Sequence, residues 1–342
     1  ILDDISLRCE EGKIYGIVAY NAEKDIANCL DSLINSNVLE QLDVIVVNDG
    51  SKDHTAEIVE TYTEKYGESI RLVNKKNGGH GSTINTSIKY ATGKYYKILD
   101  SDDWVNSENL NRLVAFLKKT NVDMVLNPYD EIAYDTRMKT RQLNPCEKDV
   151  SYEEVHGLDD FDKAMLFMHS LTFRREIIQK MGAIIDENCF YVDMEYCVFP
   201  LLYVKSFVYL DYPVYEYLLG SQTQSMNMAN MIKRRDQHLK VTRRLISFYG
   251  KYANDLNSKV RDNVALRIKY AIYNQYLIYL NMTPREAVNE IKEFDEWLKK
   301  QSGELYGGPK GKVMKYIKIN RKSRYKFFVP TTTFLKNIGA LK

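Results

Sequence analysis

The chain is poor in cysteine and poorer still in cysteine patterns. Its five cysteines, Cys9, Cys29, Cys146, Cys189 and Cys197, are odd in number and include no Cys-x-x-Cys pair. That spacing excludes a disulfide framework and a thiolate metal site, and it points to a reducing compartment. No secretory leader is recognisable, and no apolar run approaches the ~18 residues needed to span a bilayer. The first residue is Ile1 rather than Met, so the true N-terminus is expected to lie upstream. The last absence is of acid. From Lys310 to Lys342 there are ten Lys or Arg and no Asp or Glu. Of the 48 basic and 46 acidic residues in the whole chain, the other 309 positions therefore hold 38 and 46, a net charge of −8.

What is present is an ordinary globular composition. Apolar residues make up 44% and charged residues 27% of 342 positions, enough for a real core and for more than one unit. The 26 tyrosines are the oddity. A flat face with a polar tip suits sugar clefts and wet interfaces, and equally suits ordinary half-buried surfaces.

Strand and helix patterns alternate from residue 13 to residue 127. Lys13–Ala19 reads as a buried strand, and Ala27, Leu30, Leu33 and Ile34 give the next stretch a helical stripe. Asp43-Val44-Ile45-Val46-Val47 is a β-branched run of the kind buried on both faces of a parallel sheet. The cycle repeats with strands at 70–73, 95–99 and 122–126, and with helices through Tyr66, over 82–91 and over 110–117. Such alternation predicts right-handed βαβ units in an open, mostly parallel sheet, with ligands held beyond the carboxyl ends of the strands. Residues 128–220 are less regular, with helices expected near 160–168, 174–181 and 193–204. From about Asn230 to Lys300 the pattern is helical, and Gly307-Gly308-Pro309 reads as a hinge into the basic tail.

The strongest chemical signal is Leu99-Asp100-Ser101-Asp102-Asp103-Trp104, directly after a buried strand. Three acids in four residues repel one another unless a cation lies between them, and a hard divalent ion such as Mg²⁺ or Mn²⁺ would also bridge to phosphate oxygens. A solvated turn capping the next helix is the plainer reading. Context weighs against it. At the ends of the other strands lie Ala19-Tyr20-Asn21-Ala22-Glu23, Asn48-Asp49-Gly50-Ser51 and Asn77-Gly78-Gly79-His80-Gly81-Ser82. One rim thus carries an aromatic ring, acids, amides and a glycine-rich helix entry whose N–H groups could approach a phosphate.

These pieces, in this order over roughly the first 130 residues, resemble the family 2 glycosyltransferases. The resemblance implies an α/β, Rossmann-like and mostly parallel sheet, the glycosyltransferase A fold, with a C-terminal helical region. It implies a catalytic domain over 1–220, with a donor half at 13–127 and an acceptor half at 128–220. A helical region over 221–342 follows, ending in the basic tail 310–342. It implies inverting transfer of a sugar from a nucleotide-sugar, a UDP-sugar above all, to an acceptor hydroxyl on a bacterial surface glycan or lipid-linked glycan. Ala19, Tyr20 and Asp49 would hold the base, and Asp100 the ribose. Glu23, Gly79, Ser82 and Ser101 would line the donor site, and Asp102 would ligate Mn²⁺ or Mg²⁺. Two departures stand out. No Pro precedes Tyr20-Asn21, and Thr83-Ile84-Asn85 replaces the usual Ala-Arg-Asn, so any phosphate contact from that Arg would fall to Ser82 or Lys76.

In the second half, Phe190-Tyr191-Val192-Asp193-Met194-Glu195 matches the place where the family carries its general base. Asp193 is the expected base, and Glu195 the alternate. The bland alternative makes Asp193 an N-cap and Glu195 a surface acid. Asp103 and His169 are weaker candidates, as are Gln224 and Ser225 in a stretch expected to close over the donor. Two other enzyme classes compete with this reading. A P-loop NTPase fails because Gly16 is followed by no second glycine and no Lys-Ser or Lys-Thr. A sugar nucleotidyltransferase would want a glycine- and basic-rich loop where Tyr20-Asn21-Ala22-Glu23 stands. A catalytically inactive sugar- or lipid-binding module would have no need of the acids. The basic tail interleaves its cations with Tyr316, Ile317, Ile319, Tyr325, Phe327, Phe328 and Phe334. Its plain reading is a solubilising or disordered end. Its functional reading is peripheral contact with the inner face of the plasma membrane by a cytoplasmic enzyme, with no nucleic-acid motif to suggest that partner instead.

Overall fold

A computed structural model describes residues 13–146, 151–161, 165–182, 184–220 and 227–337. The chain divides into two compact units, Ile1–Ser221 and Gln222–Lys342.

The first unit opens with strand β1 (Lys13–Ala19), helix α1 (Ile26–Ile34), β2 (Leu42–Asn48), α2 (Thr55–Tyr66), β3 (Ile70–Asn74), α3 (His80–Tyr90) and β4 (Tyr95–Asp100). β1 pairs in parallel with β2 on one side and β4 on the other, Ile17 standing opposite both Val46 and Leu99. The four β-branched residues Val44–Val47 are fully buried because helices cover both faces of the strand. α1 buries Ile26, Cys29, Leu30 and Leu33, a stripe beginning one residue earlier than Ala27. A Cβ added at Gly16 would meet Ser87 Oγ at 2.7 Å, so β1 needs glycine where α3 lies against it.

The chain continues through β5 (Trp104–Val105), α4 (Ser107–Lys119), β6 (Met124–Leu126), β7 (Tyr129–Ala133), β8 (Lys139–Leu143), β9 (Val155–Gly157), β10 (Leu171–Arg174), α5 (Arg175–Met181), α6 (Asp193–Val198), β11 (Ser206–Tyr209) and β12 (Tyr215–Leu219). The main sheet has the order β3-β2-β1-β4-β10-β6-β11-β9, with β10 antiparallel to both its neighbours. A smaller sheet runs β5-β12-β7-β8. The strand order reverses between β1 and β4, which opens a crevice beyond their carboxyl ends. This is the glycosyltransferase A architecture, a mixed α/β unit on a mostly parallel sheet. The described residues of 160–168 do not form the helix expected there. Leu158–Asp160 and Met168–Ser170 are short 3-10 turns, the second leading straight into β10.

The second unit is helical: α7 (Met228–Lys233), α8 (Arg235–Tyr252), α9 (Ser258–Asn281), α10 (Pro284–Gln301), α11 (Gly303–Tyr306), α12 (Lys312–Lys322) and α13 (Phe328–Asn337). The basic segment is therefore folded over its described length, not a loose end. Val313, Met314, Ile317, Tyr325 and Phe328 are buried, which withdraws several of the tail's apolar residues into this unit's core. Arg321 fixes α12 in place. Its guanidinium reaches Asp295 at 2.8 Å and the Tyr306 carbonyl at 2.7 Å, and lies 3.6 Å from the Tyr306 ring centre. Among the described residues no helix is long and apolar enough to cross a membrane.

Candidate functional site

The crevice begins with the ends of β1 and β2. Ala19 is fully buried, while the Tyr20 ring stands 48% exposed, free to offer its face to a planar group. The two loops are sewn together. The Asn21 amide donates to Ser51 Oγ at 3.0 Å, that of Ala22 to Thr55 Oγ1 at 2.7 Å, and Glu23 accepts the His54 amide at 3.1 Å. Glu23 thus braces the wall it was expected to line.

Asp49 and the glycine-rich loop form the second element, and the two are bound to each other. The Asp49 carboxylate is almost fully buried. It accepts the amides of Gly78 and Gly79 at 2.9 and 2.7 Å and the Lys75 ammonium at 2.6 Å. Those amides are spent on Asp49, so they are not open to a phosphate, and the Asp49 oxygens are committed before any base arrives. Lys75 gives its other hydrogens to the Lys76 carbonyl and to Ser82 Oγ, and buried Ser82 donates to the Gly79 carbonyl. Ser82 is a strut of the loop, while Lys76 is exposed.

The same glycines let another segment approach. Asn188 N–H donates to the Gly78 carbonyl at 2.5 Å, and a Cβ on Gly81 would fall 2.0 Å from the Asp186 carbonyl oxygen. Asn85 exchanges hydrogen bonds with the Ile185 main chain, at 2.8 Å to its carbonyl and 3.1 Å from its amide. Asn188 and Tyr191 take positive φ values of 53° and 68° as this segment turns into α6. Asp193 is thereby brought to the site by α3.

The acidic turn is the third element. Asp103 is 1% exposed, and both its oxygens are used, Oδ2 by the Tyr215 hydroxyl at 2.5 Å and Oδ1 by the Leu218 amide at 2.7 Å. Burial and the neighbouring acids push its carboxyl well above the usual range. Asp103 is a lock between the turn and β12. The Ser101 amide bonds the Val18 carbonyl at 3.1 Å, holding the turn onto β1. Asp100 and Asp102 remain. Burial would raise Asp100, but His80 Nε2 at 2.9 Å from its Oδ1 outweighs that and lowers it. Asp102 is exposed in the crevice, where partial desolvation and then the Asp100 charge push it up to about 6.

His80, between two glycines, was not singled out from the sequence. Burial works against its charge, but Asp100, then Asp193 and Asp102, raise its pKa. Asp100 from β4 thus bonds the imidazole, and the charges of Asp102 in the following turn and Asp193 in α6 act on it. Glu195 does not join them. It is fully buried and accepts the Asp186 amide at 2.8 Å, so it is not a surface acid. Nor does Asp193 cap its helix: Val192 occupies the cap position, with no side-chain cap bond. His169 stacks on Tyr217 with ring centres 4.2 Å apart and sits 4.7 Å from the Tyr215 ring. Its carbonyl accepts the ammonium of buried Lys97 at 2.7 Å, and burial brings that lysine down to about 7. A lysine inside Tyr-Tyr-Lys-Ile-Leu was a visible signal. Gln224 and Ser225 lie outside the described residues.

Asp100, Asp103 and His169 bring ligand atoms within 4.8 Å of one another. Asp103 is spent, which leaves Asp100 and His169 of that group, with Asp102 beside them. Two neighbouring carboxylates, one raised to about 6 by burial and then by the charge of the other, are a donor set that fits a hard divalent cation.

Residues 16–182 match the family described as "Glycosyl transferase family 2". A Bacillus subtilis protein described as "Uncharacterized glycosyltransferase EpsJ" is 30% identical over 176 residues, 49% of this chain and 49% of that protein. A "Poly(ribitol-phosphate) beta-glucosyltransferase" of Bacillus spizizenii is 38% identical over 113 residues, 32% of this chain and 18% of that one. The chain thus spans about half or less of the length of these relatives. In fold, it is similar to the crystal structure of Staphylococcus aureus TarS 1–349 in complex with UDP, at a TM-score of 0.57 and 16% identity. That likeness covers 94% of this chain and 90% of the other.

Proposed function

We propose, from the premise that this chain belongs to the family 2 glycosyltransferases through its residues 16–182, that it moves a sugar from a UDP-sugar to an acceptor hydroxyl with inversion. The His80–Asp100 pair at 2.9 Å, with the charges of Asp102 and Asp193 acting on the same imidazole at the strand ends where the sheet order reverses, carries the reading. Tyr20 offers a ring for the base, and Asp100 an acceptor for a ribose hydroxyl. Asp193 takes the acceptor's proton as its oxygen attacks the anomeric carbon. The bond from that carbon to the diphosphate breaks, and the diphosphate leaves with the electron pair. Attack from the face opposite the leaving group inverts the centre. Asp102 would hold Mn²⁺ or Mg²⁺, which when bound offsets charge on the diphosphate. The poly(ribitol-phosphate) relative supports a polymer acceptor. We add a lipid-linked glycan as the alternative, and place the enzyme in the cytoplasm at the inner leaflet.

UDP release from a panel of UDP-sugars, with soluble glycan acceptors and Mn²⁺, tests this directly. Acceptor-dependent release is expected with one donor, lost on adding EDTA and in Asp102→Asn with the fold intact. Binding of a sugar without any turnover would make the chain an inactive module instead. Turnover indifferent to EDTA would remove the metal from Asp102.

A further inference from the structure

We propose that the outward faces of α12 and α13 form a docking surface for an anionic lipid bilayer. This deepens the inner-leaflet placement above and rests on it for its purpose, although its test needs no sugar transfer. α12 turns Val313, Met314, Ile317 and Asn320 inward. Its outward positions 315, 318, 319 and 322, spaced by three and four, are Lys315, Lys318, Ile319 and Lys322, all exposed. α13 buries Phe328 and Thr332, while Phe334 on that helix and Phe327 in the turn just before it are exposed. The Tyr316 hydroxyl reaches Thr331 and Thr332 at 2.8 and 2.7 Å, tying α12 to α13.

Ile319, Phe327 and Phe334 are 65%, 55% and 61% exposed, among the largest apolar exposures in the described chain. Singly, such residues are ordinary on a protein surface. Here three occur within sixteen positions of a segment that carries ten cations and no acid. A polyanionic polymer would use the cations and leave the isoleucine and phenylalanines facing water. A bilayer with anionic headgroups uses both, the lysines at the phosphates and the apolar side chains at the acyl boundary. The buried face explains why the surface persists without a ligand: the helices are held by their own core, with Arg321 as the clamp.

The test is flotation of the full chain with phosphatidylcholine vesicles, with and without phosphatidylglycerol, in low and high salt. Binding is expected only with phosphatidylglycerol, and is expected to weaken in high salt. Combined Ile319→Ser, Phe327→Ser and Phe334→Ser should lower it about tenfold or more at an unchanged melting temperature. Lys315→Gln with Lys318→Gln and Lys322→Gln should remove most of the salt dependence. Absence of binding, or equal binding by the serine variant, overturns the proposal. So does tighter binding to soluble polyphosphate that the serine changes leave intact, which would assign the face to a polyanion. UDP release with a soluble acceptor, measured alongside, separates the two readings. Vesicle binding without transfer refutes the activity alone, and transfer without vesicle binding refutes the surface alone.

Discussion

The fully buried carboxylate of Glu195 accepts the main-chain amide of Asp186 at 2.8 Å, and this bond ties α6 to the segment lying under the glycine-rich loop. Two positions earlier, Asp193 is half-exposed, and its charge is felt by His80 and Tyr217. Neighbours in sequence have thus been given separate work. One holds the loop, and the other faces the crevice.

Asp193→Asn is accordingly expected to keep donor affinity and lose about 10²–10⁴-fold in kcat, the usual worth of acid–base catalysis. Glu195→Gln should show its effect in stability, through a weakened buried bond of about 1–3 kcal/mol. Steady-state kinetics with matched thermal melts separates the two. A Glu195→Gln enzyme with native stability and Asp193-like loss of kcat would exchange the roles.

Gly81→Ala sets two effects against each other. Alanine in a helix gains about 1 kcal/mol over glycine by propensity alone. The new Cβ would sit 2.0 Å from the Asp186 carbonyl oxygen, and overpacking of that kind costs about 1–3 kcal/mol or more. The clash should win, lowering the melting temperature and kcat together as the segment leading to Asp193 is displaced. Gly157→Ala, with open space around its Cβ, is the control and should melt close to wild type.

The parallel core was legible in the sequence because its strands are continuous apolar runs, and the period of such runs needs no tertiary information. The acids of the turn were legible for the same reason: they follow a strand that could only be buried. What each acid does was not. Asp49, Asp103 and Glu195 stand out by residue type, but the partners of each carboxylate in the fold are set by which amides reach it. Those amides come from Gly78, Gly79, Leu218 and Asp186, up to 115 positions away. His80 escaped notice because a histidine between glycines has no period. The basic tail misled in the other direction, since charge density hid an inward face that is continuous from Val313 to Phe328.

Lys97 gives the first unit a pH signature. Burial holds its folded pKa at about 7, against roughly 10.4 for an unfolded lysine. Between those values the unfolded chain binds the proton and the folded chain does not, so this group makes stability rise with pH. The cost of burying its charge is fully present only below the folded value. The slope can reach ~1.4 kcal/mol per pH unit. In Lys97→Met that contribution should vanish, so denaturant unfolding from pH 7 to 10 should show a flatter rise than wild type. Parallel slopes would mean that the ammonium stays charged on the His169 and Leu171 carbonyls.

Arg321 carries the clearest expectation for the second unit. Its guanidinium meets Asp295 at 2.7–2.8 Å, the Tyr276 hydroxyl at 3.0 Å and the Tyr306 ring at 3.6 Å, and both charged partners are about nine-tenths buried. A buried ion pair adds little over apolar packing, but losing one partner leaves the other charge stranded, at about 3–5 kcal/mol. Arg321→Met should therefore destabilise the helical unit by that order and free α12 from α10. Asp295→Asn in the same chain removes the stranded charge and should recover much of the loss, because its amide can still pair with the Tyr276 and Tyr306 hydroxyls. Chemical unfolding of both single variants and the double variant gives the coupling. If the double variant is as unstable as the sum of the singles, the pair is not what holds the basic segment down. The lysine face would then need another anchor.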